Sequence, residues 1–461
     1  MSVRIRLALA AAACTLLSAC ALNTPLPDLH ADIPAQWRNA PPDAGKLGPA
    51  PDLDSWWHAF NDAQLDALIE RALKQNLTLQ QATLRLRGAR ALQHRSGTQF
   101  MPQLNFHTFS EPDPAATTSY YEIGFDAQWE LGFFGRGLGN ARVAAADLQT
   151  AETSATAARV SLIAEVARSY VDLRAAQARR GFLDRIVKLR EQSLDLAKTR
   201  LRLRLAAQDD VDKCAGELAQ ARADAAEPAA SIAQAQQALD VLLAQSQPDS
   251  VLAGAGPQPT LADVRFALTP ADLLRTRPEI RQAELDVLRA AGELGIARAD
   301  LWPKLGLGGT LISATRVNGD LDHPNKAIPA LGPLIDIPLF DWGARRDMVN
   351  ARDTGLQVAV LGYRQAVLEG VAEAESALAQ WQRDETRAAT ARTQLALADN
   401  AQARTQTLQR IGLADKSDHA QAGIAQAQAR LQASLAQRDA AVAFIAVYKS
   451  LGGALPPLAM Q

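Results

Sequence analysis

The chain has 461 residues, a formal net charge of −2, 48% hydrophobic residues and only 5% aromatics. Balanced charge excludes the basic footprint of a nucleic-acid binder, and the scarcity of large side chains excludes a thick globular core in favour of long, thin helical packing. Beyond the N-terminus no apolar run approaches the roughly 20 residues that a spanning helix needs.

The N-terminus places Arg4 and Arg6 before an apolar segment, Leu7 to Leu17, too short to span a bilayer comfortably. This is the pattern of a signal peptide over residues 1–19. It ends in Leu17-Ser18-Ala19-Cys20, which resembles the bacterial lipoprotein box, whose cysteine is acylated and becomes the mature N-terminus. Cys20 is therefore the expected lipidation site, giving a surface anchor rather than a spanning segment. Once Cys20 is lipidated, Cys214 has no disulfide partner and reads as a small packed residue. Residues 20–62 form the extended lipidated segment, with prolines at 25, 27, 34, 41, 42, 49 and 51. The cluster Trp56, Trp57 and Phe60 within it reads as packing rather than chemistry.

A helix is expected around Gln64 to Lys74. In the next helix Leu79, Ala82, Leu86, Ala89, Gln93, Ser96 and Phe100 step alternately by three and four, a coiled-coil-type seam. Ile280, Ala283, Val287, Ala290, Leu294, Ala297 and Leu301 keep the same spacing 201 positions later, and Pro102 and Leu104 match Pro303 and Leu305 at that offset. The chain therefore reads as a duplication: repeat 1 over 63–245, a linker over 246–269, repeat 2 over 270–450 and a tail over 451–461. Each proline ends its helix. Strands are expected at Leu104 to Ser110 and at Leu305 to Ile312. Tyr121 to Leu131 then alternates apolar and polar residues without a miss, and Leu331, Pro333, Ile335, Ile337 and Leu339 repeat the alternation. Gly-rich turns lead into helices of about Asn140 to Leu205 and Ala344 to Ile411, where some 65 residues at 1.5 Å each reach about 100 Å. Polar breaks at Ala206 to Asp210 and Gly412 to Lys416 precede returning helices, Val211 to Ala244 and Ser417 to Ser450. Pro228 should kink or wind down the first of these.

Four strands cannot close a barrel, for which about eight is the smallest number. Lipid cannot tolerate the unpaired edges of an open sheet. Yet Tyr121, Ile123, Phe125, Ala127, Trp129 and Leu131 make an oily face, while Glu122, Asp126, Gln128 and Glu130 make a polar one, as in the wall of a water-filled barrel. Several copies sharing one barrel resolve the conflict, and three would supply about twelve strands. Tyr121, Ile123, Phe125, Trp129 and Leu131 are then the lipid-facing positions. The fold class is mainly α with membrane β, the helices forming a tube that continues the barrel axis. An enzyme is not indicated: the histidines at 30, 58, 94, 107, 323 and 419 are scattered, and no metal-binding, nucleophile-elbow or phosphate-loop motif is present. No catalytic residue, metal or cofactor is expected.

Trp129-Glu-Leu131 with Phe134-Gly-Arg136, Pro338-Leu-Phe-Asp-Trp-Gly-Ala-Arg-Arg346, Arg410-Ile-Gly-Leu413 and the lipobox together carry a resemblance over nearly the whole mature chain. They resemble the TolC/OprM-like outer-membrane factors, and most of all the NodT-type efflux lipoproteins. The resemblance implies a homotrimer with a twelve-stranded barrel in the outer membrane of a Gram-negative bacterium and a periplasmic helical coiled-coil barrel. It implies a passive exit duct for small molecules, docked to a periplasmic adaptor and an inner-membrane pump of the RND or MFS type. Ala21 after Cys20 implies sorting to the outer membrane. Asp418 matches an acidic gate position, Gln421 stands where many relatives are acidic, and Ile424 stands where they often carry Arg. Gln208, Asp209, Asp210, Asp415 and Lys416 fall at the implied adaptor-docking tips. The alternatives are a type I protein-secretion channel of the same fold and a trimeric adhesin lipoprotein; an adhesin would cluster its strands at the C-terminus.

Overall fold

The computed structural model describes residues 25–30, 33–39, 55–111, 120–247, 249–261, 276–316 and 327–452. The signal region 1–19, Cys20 and the tail beyond 452 lie outside the described residues, as do the centres of the two hairpin loops. A 3-10 turn, Trp56–Phe60, leads into α1 (Ala63–Gln75) and α2 (Leu77–Thr98). Strands β1 (Gln103–Glu111) and β2 (Tyr120–Glu130) follow, then α3 (Arg136–Arg202), α4 (Gln208–Ala226), α5 (Pro228–Leu242) and the single turn α6 (Ser250–Ala253). The same order returns as α7 (Pro278–Ala299), β3 (Lys304–Arg316), β4 (Ala327–Asp336), α8 (Ala344–Arg410) and α9 (Lys416–Ser450). The described residues divide into two compact units, and each unit draws on both repeats.

The first unit contains Leu84–Thr153 and Arg281–Ala366. Its four strands form one antiparallel sheet in the order β1-β2-β3-β4, so β2 pairing with β3 joins the strand pairs of the two repeats. The turns into α3 and α8 share a geometry. Phe134 (φ 59) and Trp342 (φ 57) sit left-handed, and each precedes a glycine at φ 87. Arg136 then reaches back to Glu130 at 3.4 Å and to Asp300 at 2.8 Å, tying the first turn of α3 to the end of β2 and to the residue just past α7. α3 begins four residues before the expected Asn140, because Gly137 and Gly139 belong to the helix rather than to the turn. Here α3 and α7 approach backbone to backbone: a Cβ on Gly139 would lie 2.8 Å from the Gly292 carbonyl oxygen, and one on Gly292 would lie 2.9 Å from that of Gly139.

β4 ends at Asp336, so Ile337 and Leu339 fall outside the strand in which their alternation placed them. The reason is pairing. β3 starts at Lys304, directly after Pro303, and Lys304 opposes Asp336; no partner remains for Ile337, and Pro338 has no N–H to continue a ladder.

The second unit contains Asp32–Thr83, Ser154–Ile280 and Val367–Gln461. Its core packs Trp56, Trp57, Phe60, Leu65 and Ile69 against Val166, Tyr170 and Leu173 of α3, Leu239 of α5 and Phe444 and Tyr448 of α9. Trp56 stacks on Tyr448 with centroids 5.4 Å apart, so the aromatic cluster is packing. Burial raises the Tyr448 hydroxyl pKa. Arg174, only 2% exposed, lies 5.2 Å over the Tyr170 ring and donates to Gln177 Oε1 and the Gly254 carbonyl at 2.8 Å, and to Gln64. That buried guanidinium fixes the linker residues 254–256 onto α3. Elsewhere packing is thin and alanine-rich: Leu183 and Ile186 meet Ala221 and Ala427, and Ala388 and Ala391 meet Ala436 and Ala440. Along α8, Val367, Ala374 and Leu378 are buried at seven- and four-residue steps, one stripe of the helix. The first returning helix is split at Glu227, with Pro228 opening α5, where its missing N–H costs nothing.

Gly139→Ala and Gly292→Ala should each lower the midpoint of thermal unfolding. Overpacking costs about 1–3 kcal/mol, more than the roughly 1 kcal/mol that Ala gains over Gly within a helix. Gly181→Ala, in open space on the same α3, should leave the midpoint unchanged or raise it.

Candidate functional site: an outward-facing apolar sheet and two helix tips

The sheet is ordered by its register. Phe106 opposes Phe125, Phe125 opposes Leu311 and Leu311 opposes Pro329; Trp129 opposes Leu307, which opposes Pro333. Since opposed residues share a face, Leu104, Phe106, Ile123, Phe125, Leu307, Leu311 and Leu331 form one apolar surface. It is the exposed surface: Leu104 is 69%, Phe125 45% and Leu331 86% exposed. The Phe106 and Phe125 rings meet with centroids 5.2 Å apart. Of the five residues expected on this face, Tyr121, Ile123, Phe125 and Trp129 lie on it and are exposed. Leu131 lies one residue past the end of β2, half-buried, and its N–H still donates to the Leu305 carbonyl at 3.0 Å. The Trp129 indole N–H donates to the Phe100 carbonyl at 2.8 Å, which satisfies the one polar atom of that side chain.

The opposite face carries Glu122, Asp126, Gln128 and Glu130, with His107 Nδ1 2.9 Å from Asp126 Oδ2. This face is less exposed along β2 than the apolar one. In β4 the polarity fails, since Ile328 and Leu334 occupy the same face. A soluble sheet would show the reverse exposure, and an apolar surface this continuous marks a covered interface or a lipid contact. β1 and β4 have no further strand partner among the described residues. Pro329 and Pro333 sit in β4, an edge strand, where a missing N–H is tolerated.

The helix tips are the second feature. α3 closes with Leu205 N donating to the Arg200 carbonyl at 2.8 Å and Arg204 N donating to that of Leu201 at 2.9 Å; α8 closes with Leu413 N on Leu408 at 2.9 Å and Gly412 N on Gln409 at 3.1 Å. Both are Schellman closures. The left-handed residue is Gly412 (φ 78) in repeat 2 but Arg204 (φ 58) in repeat 1. The caps that follow differ too. Asp415 accepts from Ser417 N at 2.7 Å and Asp418 N at 2.9 Å, while Asp418 Oδ2 accepts from Asp415 N at 3.1 Å, a reciprocal capping box. In repeat 1 Asp210 accepts from Ala207 N at 3.0 Å, but Ala207 has no side-chain oxygen to return the bond. Arg200 pairs with Asp415 and links the two tips. The backbone N–H of Asp418, then that of Ser417, with the Arg200 guanidinium alongside, holds the Asp415 carboxyl below the usual carboxylate range.

Gln208, Asp209, Asp210, Asp415, Lys416, Asp418 and Gln421 are all exposed. Asp418 thus has a structural duty as a cap in addition to its exposure. Ile424 is 2% exposed and belongs to the helix interface, beside the close approach of Gly423 to Leu189. The capping box could have been found in the sequence from Asp415 and Asp418 at a spacing of three. The Arg200–Asp415 pair, 215 residues apart, could not.

A family described as outer membrane efflux protein matches residues 68–245 and 269–453. Nodulation protein T of Rhizobium leguminosarum bv. viciae is 28% identical over 382 residues, which cover 80% of this chain and 77% of that protein. The pyoverdine export outer membrane protein OpmQ of Pseudomonas aeruginosa is 30% identical over 394 residues, covering 79% of each. Among solved structures, the outer-membrane channel OprN superposes with a TM-score of 0.79 at 26% identity, over 93% of this chain and 99% of that one.

Asp415→Ala should cost the start of α9 about 1 kcal/mol, the usual worth of an N-cap, read as faster amide hydrogen exchange at Ser417 and Asp418. The pH dependence follows from the depressed pKa. The cap's contribution is complete above the unfolded carboxylate value of about 3.9 and is lost only as pH falls through the lower folded value. Protection of these amides, corrected for intrinsic exchange, should therefore hold from neutral pH into the carboxylate range and decline below it.

Proposed function

The chain belongs to the outer membrane efflux protein family, and from that premise we propose that it is the outer-membrane exit duct of a tripartite efflux system. The observation that carries the proposal is the sheet: its apolar face is exposed, its polar face turns the other way, and both its edges are open among the described residues. Three copies joined edge to edge close a barrel, bury the open edges and turn the apolar face to lipid. In that assembly Tyr121, Ile123, Phe125 and Trp129 contact lipid, with Leu131 at the rim.

The duct sits in the outer membrane of a Gram-negative bacterium, acylated at Cys20 after removal of residues 1–19 and tethered through 20–62. Repeat 1 (63–245) and repeat 2 (270–450), joined by 246–269 and followed by the tail 451–461, each supply two strands and a helical hairpin. It performs no bond chemistry; it offers a wet path, and an inner-membrane pump supplies the energy. The cargo is small molecules rather than folded proteins. OpmQ, named for the export of pyoverdine, is a relative consistent with such a cargo.

The gate lies at the tips. Asp418 and Gln421, exposed one turn apart at the start of α9, form the ring through which solute enters. Gln208, Asp209, Asp210, Asp415 and Lys416, exposed where the helices turn back, form the surface on which a periplasmic adaptor docks. Adaptor binding opens the gate by separating the tips that Arg200 and Asp415 hold together.

Asp418→Ala should reduce the cation preference of single channels in planar bilayers; unchanged conductance and selectivity would remove Asp418 from the gate. Because Asp418 also caps α9, Asp418→Asn serves beside it: it removes the charge while keeping a side-chain oxygen for the Asp415 N–H. Photo-crosslinkers at Gln208 and Lys416 should capture a co-expressed adaptor, while one at Arg168, far from the tips along α3, should not.

A further inference from the structure

Within the second unit a groove of about 440 Å³ opens on α3, α5 and α9. Ser169, Asp172 and Arg179 of α3, Ser231 and Gln234 of α5 and Arg438 of α9 line it, over a floor of alanines. Its position on the helices is informative. Along α3, Val166, Tyr170 and Leu173 face the aromatic core. Ser169, Asp172, Ala176 and Arg179 fall about 100° round the helix from them, on a different side of the same turns, given 3.6 residues per turn. Along α5, Leu239 faces the core while Ser231, Gln234 and Ala238 face the groove. The same helices therefore have an apolar face covered by Trp56–Ala72 and a polar face that stays open among the described residues.

Charge on the open face is paired rather than absent. Arg438 Nε lies 2.7 Å from Asp172 Oδ1, and Arg438 Nη1 lies 2.9 Å from Asp439. Arg179 pairs with Glu227. Matched ion pairs keep a wall wet without concentrating one sign of charge, so solutes of either sign meet similar surroundings. Leu435 of α9, half-buried, is the large apolar side chain in the lining, among alanines and the paired charges.

We infer that this groove is part of the conduit wall, and that the face covered by Trp56–Ala72 is the outside of the tube. The inference rests on the duct reading given above and deepens it by assigning the lumen to named residues. Two constraints select this side. A water-filled path needs the polar face, while the aromatic layer is already buried beneath residues of its own chain. The N-terminal residues cover the apolar face, and a chain lipidated at its N-terminus must leave the tube on its outer side to reach the membrane.

Full-length lipidated protein carrying Cys214→Ser, purified as its detergent-solubilised assembly, provides the test. Gln234→Cys and, as a second groove position, Ser231→Cys are compared with Glu70→Cys on α1, whose side chain is 73% exposed. Each is treated with a small neutral maleimide and with a maleimide on a long polyethylene glycol chain. The groove variants should take the small reagent and lose labelling by the polymer, while Glu70→Cys takes both. Polymer labelling of the groove variants in an intact trimer, or polymer exclusion at Glu70→Cys, would overturn the assignment of faces and leave the duct reading standing. A monomeric mass by light scattering would remove the duct reading and the groove's role with it.

Discussion

A four-stranded sheet with an apolar face turned outward cannot be the end state of a chain in water. Among the described residues its edge strands β1 and β4 have no further strand partner, and its outer face presents Leu104, Phe125, Leu311 and Leu331 to solvent. Both defects are cured by one step, joining edge to edge with further copies inside lipid. The remaining features fit that requirement. Small residues such as Gly124 let strands approach closely: a Cβ there would lie 2.6 Å from the Leu311 carbonyl oxygen. The turns at Phe134-Gly135 and Trp342-Gly343 redirect each strand into a helix with the same backbone geometry.

The helices meet a different demand. Each long helix has 67 residues, about 100 Å at 1.5 Å per residue, yet there is little bulk to hold it. Alanine contacts bring the helices close, and ion pairs such as Arg190–Glu217 and Arg222–Glu191 bridge neighbouring ones. An exposed pair such as Arg222–Glu191 contributes little stability singly. The exception is the aromatic core around Trp56 and Tyr170, where the N-terminal segment, the linker and three helices are gathered over the buried Arg174. A buried guanidinium is costly unless its donors are met; Gln64, Gln177 and the Gly254 carbonyl meet those of the two terminal nitrogens, while the buried Nε has no partner among the described residues. This core is the anchor point of the second unit.

Duplication supplied two copies of one geometry, and the copies have since diverged in chemistry. Both tips use the same helix closure, but repeat 1 places Arg204 where repeat 2 has Gly412, and Ala207 where repeat 2 has Asp415. The left-handed conformation costs an arginine roughly 1–2 kcal/mol that glycine avoids, and Ala207 offers no capping oxygen. The repeat-2 tip is therefore the better capped of the two. Its acids Asp415 and Asp418 cap the helix while staying exposed.

Much was determined by the sequence alone. Alternation in Tyr121 to Leu131, the seam recurring 201 positions later and the prolines at 102 and 303 gave the elements, the duplication and the need for several copies, because side-chain periodicity follows directly from backbone geometry. Tertiary structure decided what depends on partners distant in the chain. Whether β2 pairs with β3, why β4 stops before Ile337 and which glycines of 132–139 are helical were set by pairing and by the approach of α3 to α7. The Arg200–Asp415 link and the two faces of α3 at Tyr170 and Asp172 likewise arise between residues whose separation in the chain carries no local signal. Local patterns report which face a residue takes; only packing reports what lies against that face.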